Sequence, residues 1–316
     1  MIDNLEEKKK EENVEEIVNE ILKLKEEKKA VILAHYYQRG EVQDIADFVG
    51  DSLGLSIQAS KTDARMILFC GVDFMAESAK ILNPKKKVVI PTKEATCPMA
   101  MMVDAEGLRE LKEKNKGVPV VAYVNTTAEV KAEADICCTS SNAIDIVNSL
   151  KEDKIIFVPD TNLGAWVQHH TKKEIILWPG YCPTHQCMTL EMVNKLKKEH
   201  PKAEVLVHPE CPLDVALHAD KVASTEGMVK YVANSKADEF IVGTESGLEH
   251  ALKKRYPNKR FYFLGPECPN MKRITLPMVL KSLKTEKEEV KLPKKILEHA
   301  RVPLQRMIDF STKKQP

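Results

Sequence analysis

Residues 31–60 read VILAHYYQRGEVQDIADFVGDSLGLSIQAS. An apolar, β-rich run stops at His35. A polar pair (His35, Tyr37) follows, then Ala46-Asp47, and a hydroxyl at Ser52 opens the next apolar periodic stretch. These residues predict a buried strand ending at His35, a helix from about Glu41 to Phe48, and a second helix after Asp51-Ser52. The same order returns twice, at offsets of 88 and 85 residues. His35 corresponds to Tyr123 and His208, each behind a β-rich run (VPVVA, AEVLV). Tyr37 corresponds to Asn125 and Glu210, Ala46-Asp47 to Ala134-Asp135 and Ala219-Asp220, and Ser52 to Ser140 and Thr225.

Each copy closes on a Cys-Pro dipeptide: Cys97-Pro98, Cys182-Pro183 and Cys268-Pro269, spaced by 85 and 86 residues. A short apolar run precedes each: Val88-Val89-Ile90, Ile175-Ile176-Leu177 and Phe261-Tyr262-Phe263-Leu264. Proline keeps the chain from re-entering regular structure, so each thiol is expected in a turn beyond a strand end. Between these landmarks, segments such as MILFCGVDFMAESAKIL (66–82) read strand, glycine turn, helix, as in a βαβ unit with a parallel sheet. A period near 85 is long enough to bury its own core, unlike a solenoid repeat of ~20–50 residues. The expected fold is therefore α/β: three similar three-layer αβα domains with parallel sheets, in pseudo-threefold arrangement around a central active site. The expected boundaries are a charged helical segment at 1–29, repeats at 30–117, 118–202 and 203–290, and a helical closing segment at 291–316. In the first segment Leu5, Val14, Ile17, Val18, Ile21 and Leu22 recur at helical spacing, as in a solvated helix docked on the first domain.

The charge balance, 48 basic against 47 acidic residues, provides no global field to recruit nucleic acid or a membrane surface. The Glu/Lys-rich N-terminus lacks an apolar signal core, and no apolar run is long enough to span a bilayer, so a cytoplasmic protein is expected. The high Lys and Glu content leans towards a hot habitat. Eight cysteines in such a chain point to metal binding or catalysis rather than disulfides. Cys70, Cys137 and Cys138 sit in apolar runs and read as small buried hydrophobes. Cys187 and Cys211 lie close to His185 and to His208-x-Glu210, yet only Cys97, Cys182 and Cys268 share the threefold register.

Ligands of open parallel sheets gather beyond the carboxyl ends of the strands. Three such ends facing one centre would enclose His35, Tyr37 and Ser52; Tyr123, Asn125 and Ser140; His208, Glu210 and Thr225; the three cysteines; and His185. Hydroxyls that open helices are ordinary N-caps, but three helix starts converging on one point favour a phosphate or carboxylate. Three thiolates suit zinc with an open position, or a [4Fe–4S] cluster with one iron left free for substrate. A zinc-dependent lyase or hydrolase and a non-enzymatic cluster carrier are the alternatives to a cluster enzyme.

The motifs, in order, closely resemble those of the quinolinate synthase family over residues 30–310. They include His35-Tyr36-Tyr37-Gln38, Gly50-Asp51-Ser52, Phe69-Cys70-Gly71-Val72-Asp73-Phe74-Met75-Ala76-Glu77 and Cys97-Pro98-Met99-Ala100. They continue through Tyr123-Val124-Asn125, Thr139-Ser140, Pro159-Asp160, Gly180-Tyr181-Cys182, His208-Pro209-Glu210-Cys211 and Cys268-Pro269-Asn270-Met271. The resemblance implies an enzyme of NAD biosynthesis that condenses iminoaspartate with dihydroxyacetone phosphate, forming quinolinate with loss of phosphate and two waters. It implies a [4Fe–4S] cluster on Cys97, Cys182 and Cys268, its open iron serving as a Lewis acid. Ser52, Ser140, Ser224, Thr225 and His208 would hold phosphate or carboxylates, and Tyr123 and Asn125 would position the reacting chain. Glu210 would act as general base, with Tyr37 and His35 assisting proton transfers and His185 touching the ligand or a partner of the cluster. A transient link to the enzyme that supplies iminoaspartate follows from the same resemblance. Cys137, Cys138 and Cys187 acquire no role from it.

Overall fold

A computed structural model describes residues 2–313, with side chains from residue 13 onward. The first copy contributes strands β1 (Ala30–His35), β2 (Phe48–Gly50), β3 (Met66–Cys70) and β4 (Lys87–Val89). The second contributes β5 (Val120–Tyr123), β6 (Ile136–Cys138), β7 (Lys154–Val158) and β8 (Glu174–Leu177). The third contributes β9 (Glu204–Val207), β10 (Lys221–Val222), β11 (Glu239–Gly243) and β12 (Arg260–Phe263). They form three four-stranded sheets of one topology, ordered β2-β1-β3-β4, β6-β5-β7-β8 and β10-β9-β11-β12, and every pair is parallel. The central strands are apolar without alternation: all five residues of β3 are buried, as are the last four of β7 and β11. Strands covered by helices on both faces require that pattern.

The structure shows four strands per copy where the sequence predicts three. The helix expected to reach Phe48 stops at Asp44, and Phe48–Gly50 becomes an edge strand; β6 and β10 are its counterparts. Strands of two or three residues are too short for any periodicity to show. The Ala-Asp pair explains why the chain turns there. Asp47, Asp135 and Asp220 each accept the backbone N–H of the residue fifteen positions back, Ile32, Val120 and Val205, at 2.8 Å in all three copies. This charge-assisted bond ties each edge strand to the start of its central neighbour.

The helix after each Cys-Pro turn packs on the following sheet. Ala105–Lys114 lies against Ala128–Ala132 of the second unit, where Arg109 and Lys112 pair with Glu133. Leu190–Glu199 adds Leu190, Val193 and Leu196 to a core with Val205, Val207 and Ile241 of the third. Leu276–Thr285 returns to the first sheet, with Leu276, Val279 and Leu283 beside Ile32, Ala34 and Leu68. Residues up to 290, expected within the third repeat, thus complete the first, and Val89 bridges Glu289. A periodic sequence reveals the length of its repeat but not where the packed unit begins, because the linker does not record which sheet the next helix will cover.

The amino-terminal helix Ile2–Glu27 docks on the first unit through Ile17, Val18 and Ile21, while Val14 and Leu22 face solvent. Leu5 lies outside the residues whose side chains are described. The last helix, Lys294–Lys313, packs on Asp73–Leu82 and Ala128–Ala132, where Ala300, Leu304 and Met307 are fully buried.

Candidate active site

Beyond the carboxyl ends of the strands, residues of all three sheets line one cavity. It brings together His35, Tyr37 and Ser52; Tyr123, Asn125 and Ser140; His185, His208, Glu210 and Thr225; and Cys97, Cys182 and Cys268. Ser224 is the exception among the sequence candidates. It caps the helix Thr225–Asn234 by accepting from Gly227 N and donates to Asp51 Oδ2 at 3.1 Å, outside the cavity lining. Its place is to lock two helix starts together, since Asp51 caps Ser52–Lys61.

The cavity offers neutral donors rather than cations. Among the described residues, no lysine or arginine lines it. Two ten-residue helices present their amino ends at Ser52 and Thr225, and Ser140 adds a hydroxyl from the corresponding turn of the second copy. The histidines belong to the same system. Tyr37 N donates to His35 Nδ1 at 3.1 Å, and Glu210 N donates to His208 Nδ1 at 3.3 Å. With Nδ1 accepting, a neutral ring carries its proton on Nε2. Burial is the main reason both rings stay neutral. Neighbouring His208, Lys272 and His185 add to it for His35, and His185 for His208, lowering each pKa to about 3. His208 Nε2 lies 3.2 Å from Ser140 Oγ. Asn125 Oδ1 is buried without a hydrogen-bond partner among the described residues, a polar atom on the cavity wall left for a ligand.

Glu210 sits at the end of a hydrogen-bonded chain. Tyr123 OH donates to Oε1, and His185 Nδ1 lies 2.9 Å from Oε2. His185 Nε2 is 2.9 Å from Thr244 Oγ1, which in turn is 2.6 Å from Tyr37 OH. Burial by itself would push the Glu210 carboxyl up. The imidazoles of His185 and His208 and the hydrogen bonds from His185 and Tyr123 outweigh it and hold the group well below the usual carboxylate range. Burial, followed by the Glu210 charge, pushes both phenols well above their usual range, so Tyr37 and Tyr123 remain donors. Sequence reasoning missed Thr244. It stands where the other copies have Val72 and Pro159, so the repeat carries no trace of it.

The three Cys-Pro thiols reach the cavity half-buried. Burial pushes Cys97 up to about 12 and, with the Glu210 and Cys97 charges, pushes Cys182 well above the thiol range. Such thiols ionise when a bound cation compensates the thiolate. The other five cysteines are elsewhere: Cys70, Cys137, Cys138 and Cys211 are buried, and Cys187 is exposed. Cys211 Sγ packs 3.4 Å from Gly243 O in the third core. A single zinc with bonds of about 2.3 Å holds its thiolates roughly 3.8 Å apart. Among the described residues, the metal-compatible trio with donor atoms within 4.8 Å of one another is Cys182, His185 and Glu210, not the three cysteines.

The sequence profile of the quinolinate synthetase A protein family matches residues 19–309. Quinolinate synthase 1 of Methanosarcina acetivorans is 52% identical over 300 residues, covering 94% of this chain and 99% of that protein. Quinolinate synthase of Methanosarcina barkeri is 52% identical over 295 residues, with 93% and 97% covered. That of Aquifex aeolicus is 51% identical over 310 residues, with 95% and 96% covered. With the profile spanning nearly the whole chain and relatives of matching length at half identity, this chain belongs to the quinolinate synthetase A protein family.

Proposed function

We propose that the chain condenses iminoaspartate with dihydroxyacetone phosphate to quinolinate, releasing one phosphate and two waters, at the cavity shared by the three sheets. The observation that carries this reading is the convergence of three Cys-Pro thiols, a set of neutral anion donors and an ionised, hydrogen-bonded glutamate on one cavity. In this reading Cys97, Cys182 and Cys268 hold a [4Fe–4S] cluster, and the units surround it in pseudo-threefold fashion. When bound, the cluster supplies a Lewis-acidic iron that polarises a substrate hydroxyl or carboxylate.

The remaining work falls to side chains. Ser52, Ser140 and Thr225, with the helix amino ends and the His208 Nε2–H, bind the phosphate or carboxylates. His35 Nε2–H and Tyr37 donate protons to departing or developing oxygen. Tyr123 and the unpartnered Asn125 Oδ1 orient the chain of the reacting substrate. Glu210 takes the protons released in enolisation and dehydration. A carboxylate held so firmly ionised is a weak base alone. It becomes effective because His185, Thr244 and Tyr37 form a path along which a proton can be passed on. Ser224 contributes indirectly, by holding Asp51 and the starts of two helices.

Iminoaspartate is an imine that water hydrolyses, which favours a transient encounter with the enzyme that makes it. A cytoplasmic setting accords with eight free cysteines. No described helix is long and apolar enough to cross a membrane. The test is anaerobic purification, iron and sulfide analysis, and assay of quinolinate formed from the two substrates. Iron-loaded protein with quinolinate synthesis is expected. Colourless protein with one equivalent of zinc would favour the Cys182–His185–Glu210 trio as a mononuclear site instead.

A further inference from the structure

A second set of residues follows the repeat and stands behind the cysteines. Asp73, Asp160 and Glu245 are spaced by 87 and 85 residues, each two or three positions past the end of β3, β7 or β11. These strands pair with β4, β8 and β12, the strands that lead to the Cys-Pro turns. Asp73 Oδ1 accepts the backbone N–H of Cys97 at 3.2 Å and that of Phe74 at 2.8 Å. Glu245 Oε1 accepts the backbone N–H of Cys268 at 2.9 Å, and Oε2 accepts that of Gly247 at 2.7 Å. Lys272 Nζ pairs with Glu245 at 2.8 Å and donates to Tyr37 O at 2.7 Å, so the Cys268 turn is tied to the relay at Tyr37.

We propose that Asp73 and Glu245, with Asp160 in the corresponding place, are positioning residues that hold the backbone of the three cysteine turns so that their thiols converge on the cluster. The inference rests on the cluster reading above. Burying a carboxylate costs several kcal/mol unless it is fully satisfied, and Glu245 is wholly buried. A strand-end turn needs no such group, whereas a turn whose thiol must not move gains a charge-assisted anchor on the cysteine amide itself.

The second copy is built more loosely. Asp160 accepts from Leu163 N at 2.8 Å and faces the Cys182 amide, yet its Oδ2 has no partner in hydrogen-bonding geometry. There backbone pairing shares in holding the turn: Asp160 bridges Gly180, and a Cβ on Gly180 would come within 2.5 Å of Pro159 O. Asp73 and Glu245 also face the buried ammonium groups of Lys131 and Lys272, while Asp160 faces Glu210.

The experiment compares anaerobically reconstituted parent protein with Asp73→Ala, Glu245→Ala, Asp160→Ala, Asp73→Asn and Glu245→Gln. A ferrous chelator reports the rate of iron release, and an EPR-monitored titration reports the reduction potential. Losing a bond to a charged acceptor should speed iron release by roughly ten-fold or more in Asp73→Ala and Glu245→Ala. Asp160→Ala should respond less. The amide variants still accept the cysteine N–H, so they should release iron at the parent rate while their potential rises, because anionic charge beside the cluster has been removed. Parent-like release and potential in both alanine variants would overturn the inference. If those variants fail to fold, unchanged potentials in the amide variants overturn it equally. A parent that holds no iron would instead sink the cluster reading, and this proposal with it.

Discussion

Near the amino-terminal ends of β1, β5 and β9, the three copies are interchangeable: Asp47, Asp135 and Asp220 make one bond, to one kind of partner, at one distance. At the carboxyl ends of the same strands the equivalent positions hold Tyr37, Asn125 and Glu210, and each does something different. Tyr37 reaches Thr244, Asn125 Oδ1 awaits a partner, and Glu210 is gripped by Tyr123 and His185. The first end solves a folding problem that each copy faces alone. The second faces a shared cavity, where three identical side chains would serve an asymmetric ligand poorly. Likeness among copies therefore marks scaffold at the first end and difference marks the second, except at the helix-opening hydroxyls and the Cys-Pro cysteines, which are alike in all three copies yet line the cavity.

The largest expected effect is at those cysteines. Cys97→Ser, Cys182→Ser and Cys268→Ser should each abolish the iron–sulfur absorbance, while Cys70→Ser, Cys187→Ser and Cys211→Ser should keep it. Loss in Cys187→Ser or Cys211→Ser would end the division between scaffold and site cysteines. Next comes Glu210→Gln, which preserves shape and hydrogen bonding but not basicity. Turnover should fall by about 10²-fold or more with the cluster intact; a change of only a few-fold would move the base elsewhere, with Tyr37 the first to examine.

Ser140→Ala and Thr225→Ala should raise the KM for dihydroxyacetone phosphate roughly ten- to a hundred-fold, since each removes a bond to a charged group worth ~1.5–3 kcal/mol. Ser224→Ala, whose hydroxyl faces Asp51, should shift that KM by only a few-fold. Equal effects in all three would return these hydroxyls to the status of helix caps. At the other end of the sheets, Asp220→Ala should lower unfolding stability by about 1.5–3 kcal/mol without altering iron content or KM, read from denaturant titration and steady-state kinetics.

The last comparison concerns pH and again separates the two ends. His35 and His208 have folded-state values lowered to about 3, against an ordinary 6.5. Their contribution to stability is complete above pH 6.5 and drains as pH falls towards 3, because the unfolded chain binds protons that the folded one refuses. Each should cost about 1.4 kcal/mol per pH unit within that window. His208→Gln should flatten the stability profile by one such increment.

Much of this was legible in the linear chain, for a definite reason. A repeat imprints itself wherever every copy needs the same residue, so the Ala-Asp clamps, the helix-opening hydroxyls and the Cys-Pro turns all appear as offsets of about 85 residues. Unbroken apolar runs announced parallel strands with two covered faces. Asp73, Asp160 and Glu245 share the register too and could have been found by it.

Tertiary structure alone decided what depends on contacts between copies or on elements too short to be periodic. The strands of two and three residues at β2, β6 and β10 are defined by pairing with a neighbour. The helices Leu190–Glu199 and Leu276–Thr285 each join the core of the next sheet, and no residue in the linker encodes that crossing. Thr244 joined the relay only when the third copy met His185 of the second. The protonation of Glu210 was likewise undecidable from sequence. Burial and hydrogen bonding act on it in opposite directions, and the outcome rests on a tyrosine and a histidine that are 87 and 25 residues away along the chain but within bonding distance in space.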